Sequence, residues 1–126
     1  MEKQIIDEFL IKLLKRAYER KISCYLAHID IEVIKPICQI TYVSEAFRRY
    51  FEEKIKDVLS PPTVLVYQKG SIFIASDDLN TLFLYREKKY KRIPCVVLGM
   101  PLGRHVLAKS KPFYLPHPIP EFISTK

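Results

Sequence analysis

Residues 63–98 read TVLVYQKGSIFIASDDLNTLFLYREKKYKRIPCVVL, and this stretch decides the predicted fold. Its first two segments, TVLVYQ and SIFIAS, are apolar runs on either side of a Lys69-Gly70 turn, a pattern typical of a β-hairpin. Residues 77–92 then carry apolar side chains at helical spacing and end in a basic cluster, which favours a helix whose last turn is cationic. Ser76 or Asp77 is the predicted N-cap of this helix. Residues 93–98 are predicted to form the next buried strand.

The sequence before the hairpin repeats this alternation of helices and strands. Apolar residues at helical spacing predict an amphipathic helix over residues 3–20. In residues 22–33 every second side chain is apolar, which predicts a strand. The apolar run ICQITYV, residues 37–43, predicts another strand. Ser44 is a suitable N-cap for a helix over residues 44–60, which the following prolines end. We therefore predict a single α+β domain with a mixed sheet and two or three helices.

A chain of 126 residues suffices for one hydrophobic core but not for two, so we expect a single domain. We expect this domain to occupy residues 1–110. Residues 111–126 contain four prolines and favour an extended path. Their apolar side chains are too numerous for a free tail, so we expect them to pack on this domain or on a second copy. Contact with a second copy would make the protein a homo-oligomer.

The composition indicates a protein that acts inside a cell. No apolar run approaches the roughly 20 residues of a membrane span, and the opening MEKQIIDEF does not resemble a signal peptide. One Asn, three Gln and three Gly, with abundant charged residues, are typical of proteins from very hot environments. The composition is similar to that of small proteins from viruses and plasmids of hyperthermophilic archaea.

The three cysteines form no CxxC motif for a metal or for redox chemistry. Cys24, Cys38 and Cys95 are interpreted as small buried hydrophobic residues. Because proteins from hot environments tolerate intracellular disulfides, a bridge between Cys24 and Cys38 on neighbouring strands is the alternative.

The formal charge of +7 is distributed unevenly along the chain. Residues 1–75 carry 12 basic and 10 acidic side chains, whereas residues 76–126 carry 9 and 4. A basic half suggests an anionic partner, with nucleic acid as the first candidate. The candidate binding residues are Arg86, Lys88, Lys89, Lys91, Arg92 and Arg104.

Two interpretations of this basic cluster remain open. Its cations would displace condensed counterions from a nucleic-acid backbone, and the interleaved Tyr85 and Tyr90 would stack on unpaired bases. Alternatively, the cluster is a solvated helix end and turn whose tyrosines belong to the core.

Residues 44–99 resemble the ParB/sulfiredoxin-like family. In that family a strand ends in Asp-Gly, two further residues and then an Arg follow, and a helix leads into an Ile-Pro-Val-Val strand. Asp77 stands at the position of the family's Asp, and Ile93-Pro94-Cys95-Val96-Val97 follows at the family's interval. The resemblance implies the family's fold.

The site residues of that family are only partly present. Asp78 replaces the glycine that allows a phosphate to approach the backbone. Thr81, preceded by Asn80, replaces the phosphate-binding Arg. The sulfiredoxin cysteine is missing, because no Cys lies between residues 76 and 92. The resemblance therefore implies an inherited fold whose nucleotide site has degenerated, with Asp77, Asp78 and Asn80 as the remnant of a ligand loop.

We assign no catalytic residue, cofactor or metal site from the sequence. Asp77 and Asp78 lack a second acidic cluster with which to hold Mg²⁺, and His28, His105 and His117 are widely separated. The favoured function is nucleic-acid binding without catalysis. The alternatives are a protein-interaction or assembly module and a nucleotide-dependent enzyme with a modified ParB-type site.

Overall fold

The computed structural model describes residues 7–115 of the chain. Three helices and six strands alternate along the sequence. In chain order they are α1 (Glu8–Tyr18), β1 (Cys24–Asp30), β2 (Ile34–Pro36), α2 (Glu45–Lys54), β3 (Val64–Lys69), β4 (Ile72–Ala75), α3 (Leu79–Glu87), β5 (Arg92–Leu98) and β6 (Val106–Leu107). Within this part of the chain, no helix is long and apolar enough to cross a membrane.

All six strands belong to one mixed sheet in the order β2-β4-β3-β5-β1-β6. The β3-β4 hairpin is antiparallel, as are the β1-β5 and β1-β6 pairs. The β2-β4 and β3-β5 pairs are parallel. The predicted α+β architecture with a mixed sheet and two or three helices is therefore confirmed, and the number of helices in the described residues is three.

Successive side chains of each strand point to opposite sides, so both faces of the sheet carry apolar residues. Helices cover both faces. On one face, α2 and α3 enclose the main core, which includes Phe51, Val66, Tyr85, Ile93 and Val97. On the other face, α1 packs its own stripe of apolar residues. This second cluster consists of Leu10, Leu14, Ala17, Cys24, Tyr67 and Leu98, with partly buried neighbours.

Capping by short polar side chains fixes where α1 and α2 begin. Asp7 accepts hydrogen bonds at Oδ1 from the N–H groups of Phe9 and Leu10, both at 3.1 Å. The predicted cap Ser44 accepts from the N–H of Phe47 at 3.2 Å. Both side chains satisfy donors that a helix start otherwise leaves unpaired.

The predicted strand over residues 37–43 is wrong. Pairing beside β4 stops after one further hydrogen bond, from Ile37 N–H to the Ala75 carbonyl at 2.9 Å. The chain beyond it is irregular up to Ser44, although Ile40 and Val43 still pack in the main core. The sequence pattern was misleading because a short apolar run enters a core equally well from a loop.

Several predicted boundaries also need correction. Helix α2 ends at Lys54, well before Pro61. The strand predicted to reach Val33 ends at Asp30, and a single 3₁₀ turn, Ile31–Val33, follows it. Neither Ser76 nor Asp77 caps α3, since Asp78 occupies that position.

The three cysteines are free. Cys24 and Cys95 are buried as predicted, whereas Cys38 is partly exposed. The alternative of a Cys24–Cys38 bridge is wrong because the two residues are not on neighbouring strands. Cys24 lies in β1, and Cys38 follows β2 at the opposite edge of the sheet.

The beginning of the predicted tail contacts the domain. Phe113 exchanges both backbone hydrogen bonds with Cys24, at 2.8 and 2.9 Å. Phe113 and Leu115 pack against the α1 cluster. The remainder of the predicted tail, residues 116–126, lies outside the described residues.

Candidate functional site

Three strands meet at the end of the sheet where β1 finishes. Asp30, the last residue of β1, lies opposite Arg92, the first residue of β5. Its N–H donates to the carbonyl of His105 at 3.1 Å, and the next N–H, of Ile31, donates to the carbonyl of Lys91 at 2.9 Å. These pairings place two segments that are distant in sequence, 91–92 and 104–105, beside one strand end.

Four of the six predicted nucleic-acid-binding cations lie in or next to these segments. Lys89, Lys91 and Arg104 are exposed and form no ion pair within residues 7–115. The side chain of Arg92 is 57% exposed, and its Nε lies 2.9 Å from Asp30 Oδ1. We call Lys89, Lys91, Arg92 and Arg104 the sheet-end patch.

The other two predicted cations serve contacts within the fold. Arg86 donates Nη2 to the carbonyl of Ile34 at 2.7 Å, which connects α3 to β2. Lys88 Nζ lies 2.8 Å from Glu52 Oε2 and connects α3 to α2. Arg86 and Lys88 are therefore less available to an external anion than the cations of the sheet-end patch.

The two tyrosines near the patch have different environments. Tyr85 is 1% exposed, and its hydroxyl donates to the carbonyl of Pro62 at 2.7 Å. Burial raises the pKa of Tyr85 to about 12. Tyr90 is 39% exposed and touches the Tyr85 ring edge-on, with ring centroids 5.0 Å apart. Of the two rings, that of Tyr90 is therefore the one accessible from solvent.

A cluster of hydrogen-bonding groups occupies the centre of the sheet end. His105 Nδ1 lies 2.7 Å from Asp30 Oδ2 and 4.0 Å from Glu32 Oε2. The hydrogen bond with His105 lowers the pKa of Asp30, and the bond from Arg92 adds to this effect against the opposing influence of desolvation. Strand pairing, and not spacing along the chain, brings the members of this cluster together, so no sequence pattern indicates it.

The predicted ligand loop lies at the other end of α3, at its amino terminus. Asp78 has a left-handed backbone, with φ of 55°, and its Oδ2 accepts the N–H of Leu65 at 3.0 Å. Burial raises the pKa of Asp78, as does the charge of Asp77, while the Leu65 hydrogen bond acts in the opposite direction. The Asp78 carboxylate thus accepts a backbone hydrogen bond from β3 that a neighbouring strand would otherwise accept.

The rest of this loop lines a shallow cleft of about 320 Å³ that includes Ser76, Asp77 and Asn80. Thr81, at the position of the family's phosphate-binding Arg, is 6% exposed. The cleft therefore presents carboxylates where a phosphate site presents cations, and this charge disfavours a nucleotide.

No protein-family model matches the chain. No curated protein matches it in sequence. Among solved structures, sulfiredoxin from Arabidopsis thaliana is similar, with 9% sequence identity and a TM-score of 0.48, covering 60% of this chain and 85% of that chain. This is the fold family that residues 44–99 resemble, and the likeness concerns the fold alone.

Proposed function

We propose that this protein binds nucleic acid through the sheet-end patch, without catalysis. The observation that supports the proposal is the pairing at the end of β1, where the N–H groups of Asp30 and Ile31 bond to the carbonyls of His105 and Lys91 and so bring segments 91–92 and 104–105 to one strand end. We infer that exposed cations from both segments, which are far apart in sequence, contact one extended partner. A phosphate backbone presents repeated negative charges, and such a group of exposed cations binds it by releasing condensed counterions.

The local carboxylates set the expected strength of binding. Asp30 contacts both Arg92 and His105, and Glu32 lies 4.0 Å from His105, so two carboxylates lie at the same sheet end as the cations. The patch therefore has a modest positive surplus, which predicts weak binding with little sequence preference. Contacts to phosphates position a nucleic acid, whereas contacts to base edges are needed to select a sequence.

The test is salt-dependent binding of fluorescent oligonucleotides, followed by anisotropy. In the test variant, Lys89, Lys91 and Arg104 are all replaced by Ala, while Arg92 is kept because it holds Asp30. Each phosphate contact on duplex DNA contributes about 0.9 to the slope of log K against log salt. Loss of three contacts should reduce the slope by about 2.7 and weaken binding to all sequences alike.

A charge-matched control removes three cations from another part of the surface. Lys12, Lys15 and Arg16 are exposed on α1, which packs near Cys24 and Leu98 at the far end of the same strand pair. Replacing these three with Ala changes the net charge equally and should reduce the slope far less. Equal losses in the two variants would show that net charge, and not the sheet-end patch, controls binding. An unchanged slope in the test variant would also refute the assignment.

A further inference from the structure

We propose that Asp30, Glu32 and His105 bind a divalent transition-metal ion such as Zn²⁺. Among residues 7–115, these three offer a histidine nitrogen and two carboxylate oxygens that all lie within 4.8 Å of one another. The proposal does not depend on nucleic-acid binding, because it concerns the affinity of the metal alone.

The backbone holds two of the three ligands in place. Asp30 ends β1, His105 directly precedes β6, and the N–H of Asp30 donates to the carbonyl of His105 at 3.1 Å. Glu32 belongs to the 3₁₀ turn just after Asp30. Strand pairing therefore fixes the backbone positions of Asp30 and His105 relative to each other.

The distances require only small side-chain movements around an ion. Ligand bonds of about 2.0–2.2 Å in a tetrahedral site place the donor atoms about 3.3–3.6 Å apart. His105 Nδ1 lies 2.7 Å from Asp30 Oδ2 and 4.0 Å from Glu32 Oε2, so one distance must lengthen and the other shorten. The Glu32 side chain is 74% exposed and has room to move.

A neighbouring residue already orients one of the ligands. Arg92 Nε lies 2.9 Å from Asp30 Oδ1, which leaves Oδ2 directed at His105. Metal-binding carboxylates commonly have such an outer partner, which holds the ligand in a productive orientation. Arg92 would thus be a positioning residue for the metal.

The ligand set favours some ions over others. One imidazole nitrogen and two carboxylate oxygens suit Zn²⁺, Co²⁺ or Ni²⁺, and at least one coordination position remains open to solvent. Ca²⁺ requires six to eight oxygen ligands, so this site should not hold it tightly. The exposed cations Lys91 and Arg104 nearby oppose a metal ion and reduce its affinity.

The experiment is titration of the full chain with ZnCl₂ by calorimetry and with CoCl₂ by visible absorption. One ion should bind per chain, and the cobalt complex should lack the thiolate bands that cysteine ligands would produce. CaCl₂ is the comparison ion, for which we expect much weaker binding. Failure of the wild-type chain to bind Zn²⁺ or Co²⁺ would overturn the proposal.

Two variants locate the site. His105→Ala and Glu32→Gln should each weaken Zn²⁺ binding by more than about tenfold, an effect that loss of an outer partner alone can reach. The control is His28→Ala, which removes an exposed histidine of β1 that lies outside the cluster. Binding that survives both ligand variants, or that disappears in the control, would also overturn the proposal. The Glu32 side chain is exposed, so Glu32→Gln should leave the fold intact. It therefore tests the metal site even when His105→Ala destabilises the protein.

Discussion

Replacement of Asp78 provides a sensitive test of how this fold uses the partly buried carboxylate at the start of α3. Asp78 combines a left-handed backbone with a hydrogen bond to the N–H of Leu65. Asn keeps the short side chain, the acceptor oxygen and the tolerance of positive φ, but it carries no charge. Asp78→Asn should therefore leave the protein as stable at neutral pH as the wild type, or more stable.

The direction of the stability change expected for Asp78→Asn follows from the raised pKa of Asp78. Burial disfavours the ionised form, so the native pKa lies above the ordinary value of 3.8. The cost of the buried charge is present at pH values above the native pKa and vanishes below the unfolded pKa. The advantage of Asp78→Asn should accordingly disappear as the pH falls below about 4.

Asp78→Ala should have the opposite effect at neutral pH. It leaves the N–H of Leu65 without its acceptor, which costs about 1–3 kcal/mol. Ala at positive φ costs roughly 1 kcal/mol more. Removal of the buried charge offsets part of this, so we expect a net loss of about 1–3 kcal/mol.

The assay is urea denaturation followed by circular dichroism at pH 7 and pH 3.5, with the midpoints compared at constant m. Glu53→Gln serves as the control, because the Glu53 side chain on α2 is 79% exposed and the change removes one surface charge. The reasoning would be refuted if Asp78→Asn lost more than about 1 kcal/mol at pH 7, or if Asp78→Ala matched the wild type.

Two further changes probe the two faces of the sheet. Phe51 is completely buried and meets the ring of Tyr85 edge-on at 5.0 Å, so Phe51→Ala should cost about 3–5 kcal/mol in urea denaturation. Burial raises the pKa of Asp7, but hydrogen bonds from Ser76, Tyr67 and the start of α1 outweigh it and leave the pKa lowered. A lowered carboxyl pKa adds stability above the unfolded pKa and loses it as the pH falls through the native value. Asp7→Asn should therefore lower the melting temperature at pH 7 and flatten its acid decline below about pH 4, and an unchanged acid decline would contradict this.

Local patterns were sufficient for most of the secondary structure. The α1 stripe, the Ser44 cap and the Lys69-Gly70 hairpin depend on residues that are neighbours in the sequence, so their signals can be read without knowing the partner element. The same holds for the buried strand after Ile93. The resemblance over residues 44–99 depended on the same local order of hairpin, helix and strand.

The remaining features depended on contacts between residues far apart in sequence. Whether residues 37–43 form a strand is decided by the edge of the sheet beside β4, and not by their own apolar pattern. Asp78 was predicted to belong to a ligand loop, yet its acceptor role follows from the position of Leu65 on β3. In each case a distant backbone group determines what the side chain does.

The sequence by itself determined the α+β class, the start of α2 at Ser44 and the excess of cations after residue 76, whereas the cap of α1 at Asp7 came from the structure. Only the tertiary structure separated those cations, pairing Lys88 with Glu52 while leaving Lys91 exposed. It also brought Asp30, Glu32 and His105 into one cluster. The physical reason is that helix and turn propensities act over a few residues, whereas strand pairing joins segments irrespective of their separation along the chain.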